Sequence, residues 1–137
     1  MMRRNYSRLL IVALVVLAAS CSDEDNIPGI NPPADDRFDF VGTWTVVESP
    51  VAQSFIITIT LRGNGDSITI SNFAGFGSVG PHAYGLVSGN SLTVPGQDIT
   101  PTALHVQGTG VLNSAGTKIT MDYVADGDTI TATATKN

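Results

Sequence analysis

From Phe38 to Asn137 apolar and polar side chains alternate at period two, and Gly, Asn, Asp and Ser interrupt the alternation every eight to twelve positions. Period two sends successive side chains to opposite faces of an extended chain. No stretch of this region carries the 3.6-residue period of a helix, so it reads as strands joined by turns. Val41 to Glu48 opens the series. Ser54 to Arg62 is the clearest, with Phe55, Ile57, Ile59 and Leu61 on one face and Thr58 and Thr60 on the other. Gly63-Asn64-Gly65-Asp66 then turns the chain, because Gly and Asn accept positive φ at low cost. Asp66 to Asn72 follows with Ile68 and Ile70 inward, and a glycine-rich loop leads to a pair, His82 to Val87 and Ser91 to Val94. Ala103 to Leu112 places Leu104, Val106, Gly108, Gly110 and Leu112 on one face, which Ile119, Met121 and Tyr123 continue. Asp126-Gly127 turns into Asp128 to Lys136, where Ile130, Ala132 and Ala134 oppose a row of threonines.

These segments make eight short strands in about 100 residues, enough for one domain and too few for two. A parallel crossover needs about a dozen residues, usually a helix, and the turns leave no room for one. The expected fold is therefore all-β, an antiparallel meander. Closing eight strands into an up-and-down barrel buries the apolar face and removes the open edges. A two-sheet β-sandwich satisfies the same periodicity and remains the alternative.

The first 37 residues have a different pattern. Arg3, Arg4 and Arg8 precede an apolar run from Leu9 to Ala19, and Ala18-Ala19-Ser20 supplies small residues for a cleavage site. These are the parts of a secretory signal peptide over residues 1–20. Eleven apolar residues are too few for a membrane-spanning helix, which needs about twenty. Cys21 is the sole cysteine, so no intramolecular disulfide is available. A lone thiol directly after small residues resembles the modified cysteine of bacterial lipoproteins. The site departs from the common form, which prefers Leu three places before the cysteine; here Ala18 holds that place and Leu17 stands one further out. The resemblance implies cleavage before Cys21 and lipidation of its sulfur, which anchors the protein to a membrane without spanning it. Ser22-Asp23-Glu24-Asp25 resembles the acidic export signal of Gram-negative bacteria rich in surface lipoproteins. It implies a lipid-anchored outer-membrane protein exposed on the cell surface, with the periplasmic face as the alternative. Residues 21–37 then read as an acidic, proline-bearing tether, with a reach of roughly 20–25 Å, before a domain at 38–137.

Cleavage at Cys21 removes three arginines and no acid, leaving four basic and twelve acidic side chains and a formal charge of −8. That charge argues against nucleic acid as a partner. Gly42-Thr43-Trp44 on the first strand resembles the G-x-W signature of lipocalin-like barrels. The resemblance implies that Gly42, Trp44 and a basic residue of the last strand, here Lys136 in place of the usual arginine, form the barrel floor. The whole chain resembles small lipocalin-like bacterial lipoproteins, most of them without an assigned activity.

Candidate chemistry is sparse. Gly75-Phe76-Gly77-Ser78-Val79-Gly80 matches G-x-G-x-x-G by letter, but Pro81 and a strand follow where a nucleotide site needs a helix to begin. His82 and His105 are the only histidines, and no metal-ligand spacing surrounds them. No serine stands beside a recognisable base, so neither a catalytic residue nor a cofactor is expected and an enzyme is not the reading. Phe73 and Phe76 in the glycine-rich loop, with Tyr84, are the candidates for contact with a small apolar ligand at the barrel mouth. The expected function is a non-enzymatic binding module. Its alternatives are a protein-interaction or inhibitor module and an accessory subunit of an outer-membrane complex.

Overall fold

The alternation read along the chain becomes eight strands: β1 (Gly42–Ser49), β2 (Ser54–Leu61), β3 (Ser67–Ser71), β4 (His82–Ser88), β5 (Ser91–Ile99), β6 (Leu104–Leu112), β7 (Lys118–Ala125) and β8 (Asp128–Lys136). The structure is a computed structural model and describes residues 34–77, 82–99 and 103–137. The leader, Cys21 and Ser22-Asp23-Glu24-Asp25 lie outside these residues. Each strand pairs antiparallel with the next, and β8 returns to β1 to close a barrel in sequence order. That closure runs from Trp44↔Lys136 to Ser49↔Thr131 and decides for the barrel over the sandwich.

An eight-stranded barrel has an interior just wide enough for its own side chains. Here Trp44, Val46, Ile57, Ile59, Ile68, Ile70, Val106 and Ile119 fill it and are buried. Small residues make room for the large ones. A Cβ on Gly85 would stand 2.6 Å from the Leu92 side chain, which occupies that space. The outward positions carry the threonines of β2 and β8.

The structure departs from the sequence reading in three places. Leu61 keeps the inward parity of Ile57 and Ile59, opposite buried Ile68, but at the last position of β2 it is 39% exposed instead of buried. The packed unit begins at Ala34 instead of Phe38. A single helical turn, α1 (Arg37–Phe40), closes the lower end, with Phe40 fully buried. Arg37 donates from Nη1 to the carbonyls of Gly63 (3.1 Å) and Ser67 (3.2 Å), and its guanidinium pairs with Asp35 at 2.6 Å. The Arg37 hydrogen bond holds the Asp35 carboxyl below its usual range and in return raises the Arg37 pKa.

The third departure is at β5, which continues to Ile99 instead of ending at Val94. Continuing the Leu86↔Thr93 register by two residues sets Tyr84 against Pro95, which has no N–H to give. The strand answers with a bulge: between Val94 and Gln97 the register on β6 shifts. The Gln97 carboxamide then fills the missing rung, accepting the Tyr84 N–H (2.9 Å) and donating to the Tyr84 carbonyl (2.8 Å). A side chain thus closes the seam that a proline opens.

Candidate functional site at the upper rim

The two ends of the barrel differ. At the lower end, Trp44 donates from Nε1 to the buried Phe40 carbonyl (2.9 Å), and the Lys136 ammonium lies 5.1 Å from the centre of the Trp44 ring. Lys136 also donates to the Asp39 carbonyl at 2.9 Å. Gly42 has φ +140°, and a Cβ there would meet Lys136 Cε at 3.1 Å. The glycine of Gly42-Thr43-Trp44 is therefore the residue that lets the lysine stem cross to the indole. These groups hold the floor of the interior together.

The upper rim is built from the β1–β2, β3–β4 and β7–β8 corners. Asn72 and Ala74 adopt left-handed φ of 58° and 57° around a short 3₁₀ turn at Phe73–Gly75. That turn swings Phe73 inward, where it is 3% exposed and packs on Tyr123 with ring centroids 5.0 Å apart. Tyr123 in turn donates its hydroxyl to the Glu48 carboxylate. Burial, then the Glu48 contact, push the Tyr123 pKa up and keep the phenol protonated. Glu48 shares the inward face with Trp44 and Val46, one rung above the packed core, so an acid sits where the interior meets solvent. Beside it a pocket of about 330 Å³ opens between the β1–β2 and β7–β8 corners. Pro50, Val51 and Ile130 give it apolar walls, and Glu48, Gln53 and Asp128 give it polar groups.

The three aromatics singled out from the sequence differ in exposure and in the side of the wall they face. Phe73 is a plug, Phe76 is 51% exposed, and Tyr84 lies on the outer wall with the Arg62 guanidinium 4.9 Å from its ring centre. Sequence reading set Tyr123 and Ile130 on the inner face and ended the first strand at Glu48, but assigned none of the three to a site. The parity of Glu48 with Trp44 on the first strand was the available signal, since an acid at an inward position needs a partner. His82 is exposed, and His105 pairs through Nδ1 with Asp98 (2.8 Å) on the outer wall. Among the described residues no group of three or more His, Cys, Asp or Glu side chains is placed to hold a metal.

No family model and no curated protein matches the chain. Among solved structures it is similar to a redesigned beta barrel with a TM-score of 0.54 at 21% identity, covering 75% of this chain and 96% of that one. It is also similar to a redesigned beta barrel, mFAP1, bound to DFHBI, with a TM-score of 0.49 at 19% identity, over 74% of this chain and 99% of that one. The first likeness shows the fold. The chain is an all-β protein with a closed eight-stranded up-and-down barrel.

Proposed function

We propose that this protein is a lipid-tethered, non-enzymatic binding module that holds a small molecule with both apolar and polar parts against the upper rim of its barrel. The observation that carries the reading is the rim pocket of about 330 Å³. It lies at the small end of the size range of small-ligand sites, and its lining is mixed, with Pro50, Val51 and Ile130 beside Glu48, Gln53 and Asp128. The Tyr123 hydroxyl fixes the Glu48 carboxylate, so the pocket has one oriented polar group to set a ligand's direction. The interior itself is filled, which moves recognition from the barrel axis to the rim.

The tether follows from the residues ahead of the barrel. Acylation of Cys21 gives stable attachment, since each buried CH₂ adds about 0.8 kcal/mol and two or more chains are involved. With the acidic Ser22-Asp23-Glu24-Asp25 run behind it, the protein is placed on the outer face of the outer membrane. Cys21→Ala is expected to move the protein from the membrane fraction to the soluble one. Membrane association of that variant that still requires detergent to release would overturn the anchor.

The binding reading is tested by native mass spectrometry of the protein isolated gently from its host, before and after solvent extraction. A stoichiometric small molecule that leaves on extraction, and is absent from Ile130→Trp, supports the rim pocket. Retention in Ile130→Trp, or a bare mass in the wild type, argues against it.

A further inference from the structure

The barrel is closed in topology, yet β2 is not paired on both sides along its whole length. The Glu48 N–H donates to the Gln53 carbonyl (3.0 Å), which sets the phase of the β1–β2 ladder. In that phase the main chains of Phe55 and Ile57 face β1, and those of Ser54, Ile56 and Thr58 face β3. The β2–β3 ladder ends at Thr58↔Ser71. One residue later Asn72 takes its left-handed φ and β3 turns in over the core.

Above Thr58 the β3 side of β2 is therefore an open edge. The Asn72 side chain donates to the Ile56 carbonyl (2.7 Å). The Ile56 N–H and the main-chain groups of Ser54 have no partner among the described residues. The edge lies in a groove of about 620 Å³ lined by Thr45, Ser54, Ile56, Thr58, Ser71 and Asn72, none of them charged. Beside it Ile56 (54%) and Val47 (46%), the register partner of Ser54, are exposed. A strand edge capped at a single carbonyl and flanked by exposed apolar side chains is a template for a further strand unless something else blunts it. No lysine or proline stands on this edge to do so.

We infer that the upper edge of β2 is a docking site for an extended segment of a partner protein, which adds as a strand in the place β3 leaves at Asn72. The Ser54 main chain and the Ile56 N–H supply the hydrogen bonds, and the exposed side chains of Ile56 and Val47 select for apolar residues on the segment. The uncharged lining selects for an uncharged segment. A narrow chain fits better than a second copy of the barrel. Two-fold association needs a self-complementary surface, and a recessed edge meets its own image groove to groove, with the two strands held apart. This surface is separate from the rim pocket, so the two readings stand or fall independently.

The test is selection of a displayed heptapeptide library on the purified full-length protein, followed by synthesis of the enriched peptides. Enriched sequences are expected to alternate apolar with polar residues, to lack proline, and to slow hydrogen exchange at the Ile56 amide. Methylating one bonding N–H of such a peptide should weaken binding roughly tenfold, the loss of about one hydrogen bond. Ile56→Pro removes the donor on the free side while leaving the β1 ladder intact, and should abolish binding. Because the methylated peptides leave the protein unaltered, the result holds even if that variant folds poorly. Failure to enrich any peptide, binding indifferent to N-methylation, or slow exchange at Ile56 in the free protein would each overturn the proposal. Dimerisation of the wild type that Ile56→Pro abolishes would assign the edge to a second copy and overturn it as well.

Discussion

The Gln97 carboxamide replaces a rung of the β-ladder, and substituting it tests that account directly. Gln97→Leu keeps much of the volume and removes both hydrogen bonds to Tyr84, now at 2.9 and 2.8 Å. Pro95 stands at the position that would otherwise supply the donor, so no main-chain group takes over. An unmet buried donor or acceptor costs about 1–3 kcal/mol. Gln97 is only half-buried, which lets water recover part of the loss. The expected destabilisation is about 2–3 kcal/mol. Gln97→Glu sharpens the test. At neutral pH its carboxylate still accepts the Tyr84 N–H but faces the Tyr84 and Pro95 carbonyls, to which Gln97 Nε2 now donates. Those carbonyls disfavour the charged form, so the folded-state pKa of the introduced acid lies above its unfolded value of about 4.3. Protonation restores a donor. The native-like contribution is then fully present below pH ~4.3 and is lost as pH rises through the folded pKa. Urea unfolding of wild type and variants between pH 4 and 8 measures this. A Gln97→Leu variant within 0.5 kcal/mol of wild type, on the order of an ordinary surface substitution, would refute the reasoning. So would a Gln97→Glu penalty that grows as pH falls.

Other perturbations probe the two ends of the barrel. Gly42→Ala should cost about 2 kcal/mol, because the new Cβ must hold a φ that L-residues avoid and displace Lys136 from the Trp44 ring; thermal unfolding reports the loss, and a change of Trp44 fluorescence reports its cause. Phe73→Ala should cost about 3 kcal/mol by emptying the space against Tyr123, and denaturant unfolding should show it while Phe76→Ala, at an exposed ring, stays near wild type. Asp35, whose pKa is lowered by Arg37, contributes stability that is present above its unfolded pKa and lost as pH falls through the lower folded value. Acid unfolding curves of wild type and Asp35→Asn should therefore converge at low pH and separate toward neutrality.

The barrel was legible because two signals agree along most of the chain: period two within each strand, and turn residues where the strands end. Asp126 and Gly127 both adopt positive φ between paired Ala125 and Asp128, as a two-residue hairpin requires. Reading failed where a distant group overrides a local rule. A proline normally ends an interior strand, and Val94 was the last residue that rule allows before Pro95. The continuation depends on a glutamine two residues on and on a main chain thirteen residues back, a pairing that no local pattern shows. Arg37 read as tether because no apolar period surrounds it, although its guanidinium ties the lower end together through main-chain carbonyls some thirty residues away. Phe73 and Phe76 are equivalent in sequence. The backbone at Asn72 and Ala74 decides which ring turns inward, and a positive φ at alanine leaves no compositional trace.

These non-local contacts also explain why the candidate surfaces gather at one end. The lower end is sealed by α1, by the Trp44–Phe40 hydrogen bond and by Lys136 crossing Gly42, and the chain enters the barrel there. At the upper end the 3₁₀ turn that drives Phe73 into the core is the same turn that takes β3 away from β2. Filling the interior and exposing the β2 edge are thus two results of one backbone feature, the left-handed Asn72. A barrel of this size has little interior left to give a ligand once its own side chains are packed. What it offers instead is the unfinished margin of its sheet: a rim pocket beside Glu48 and an open strand edge at Ser54 and Ile56. Restoring the β3 path by replacing the Asn72 corner would be expected to close the edge and release the Phe73 plug together, a coupling that two unrelated features would not show.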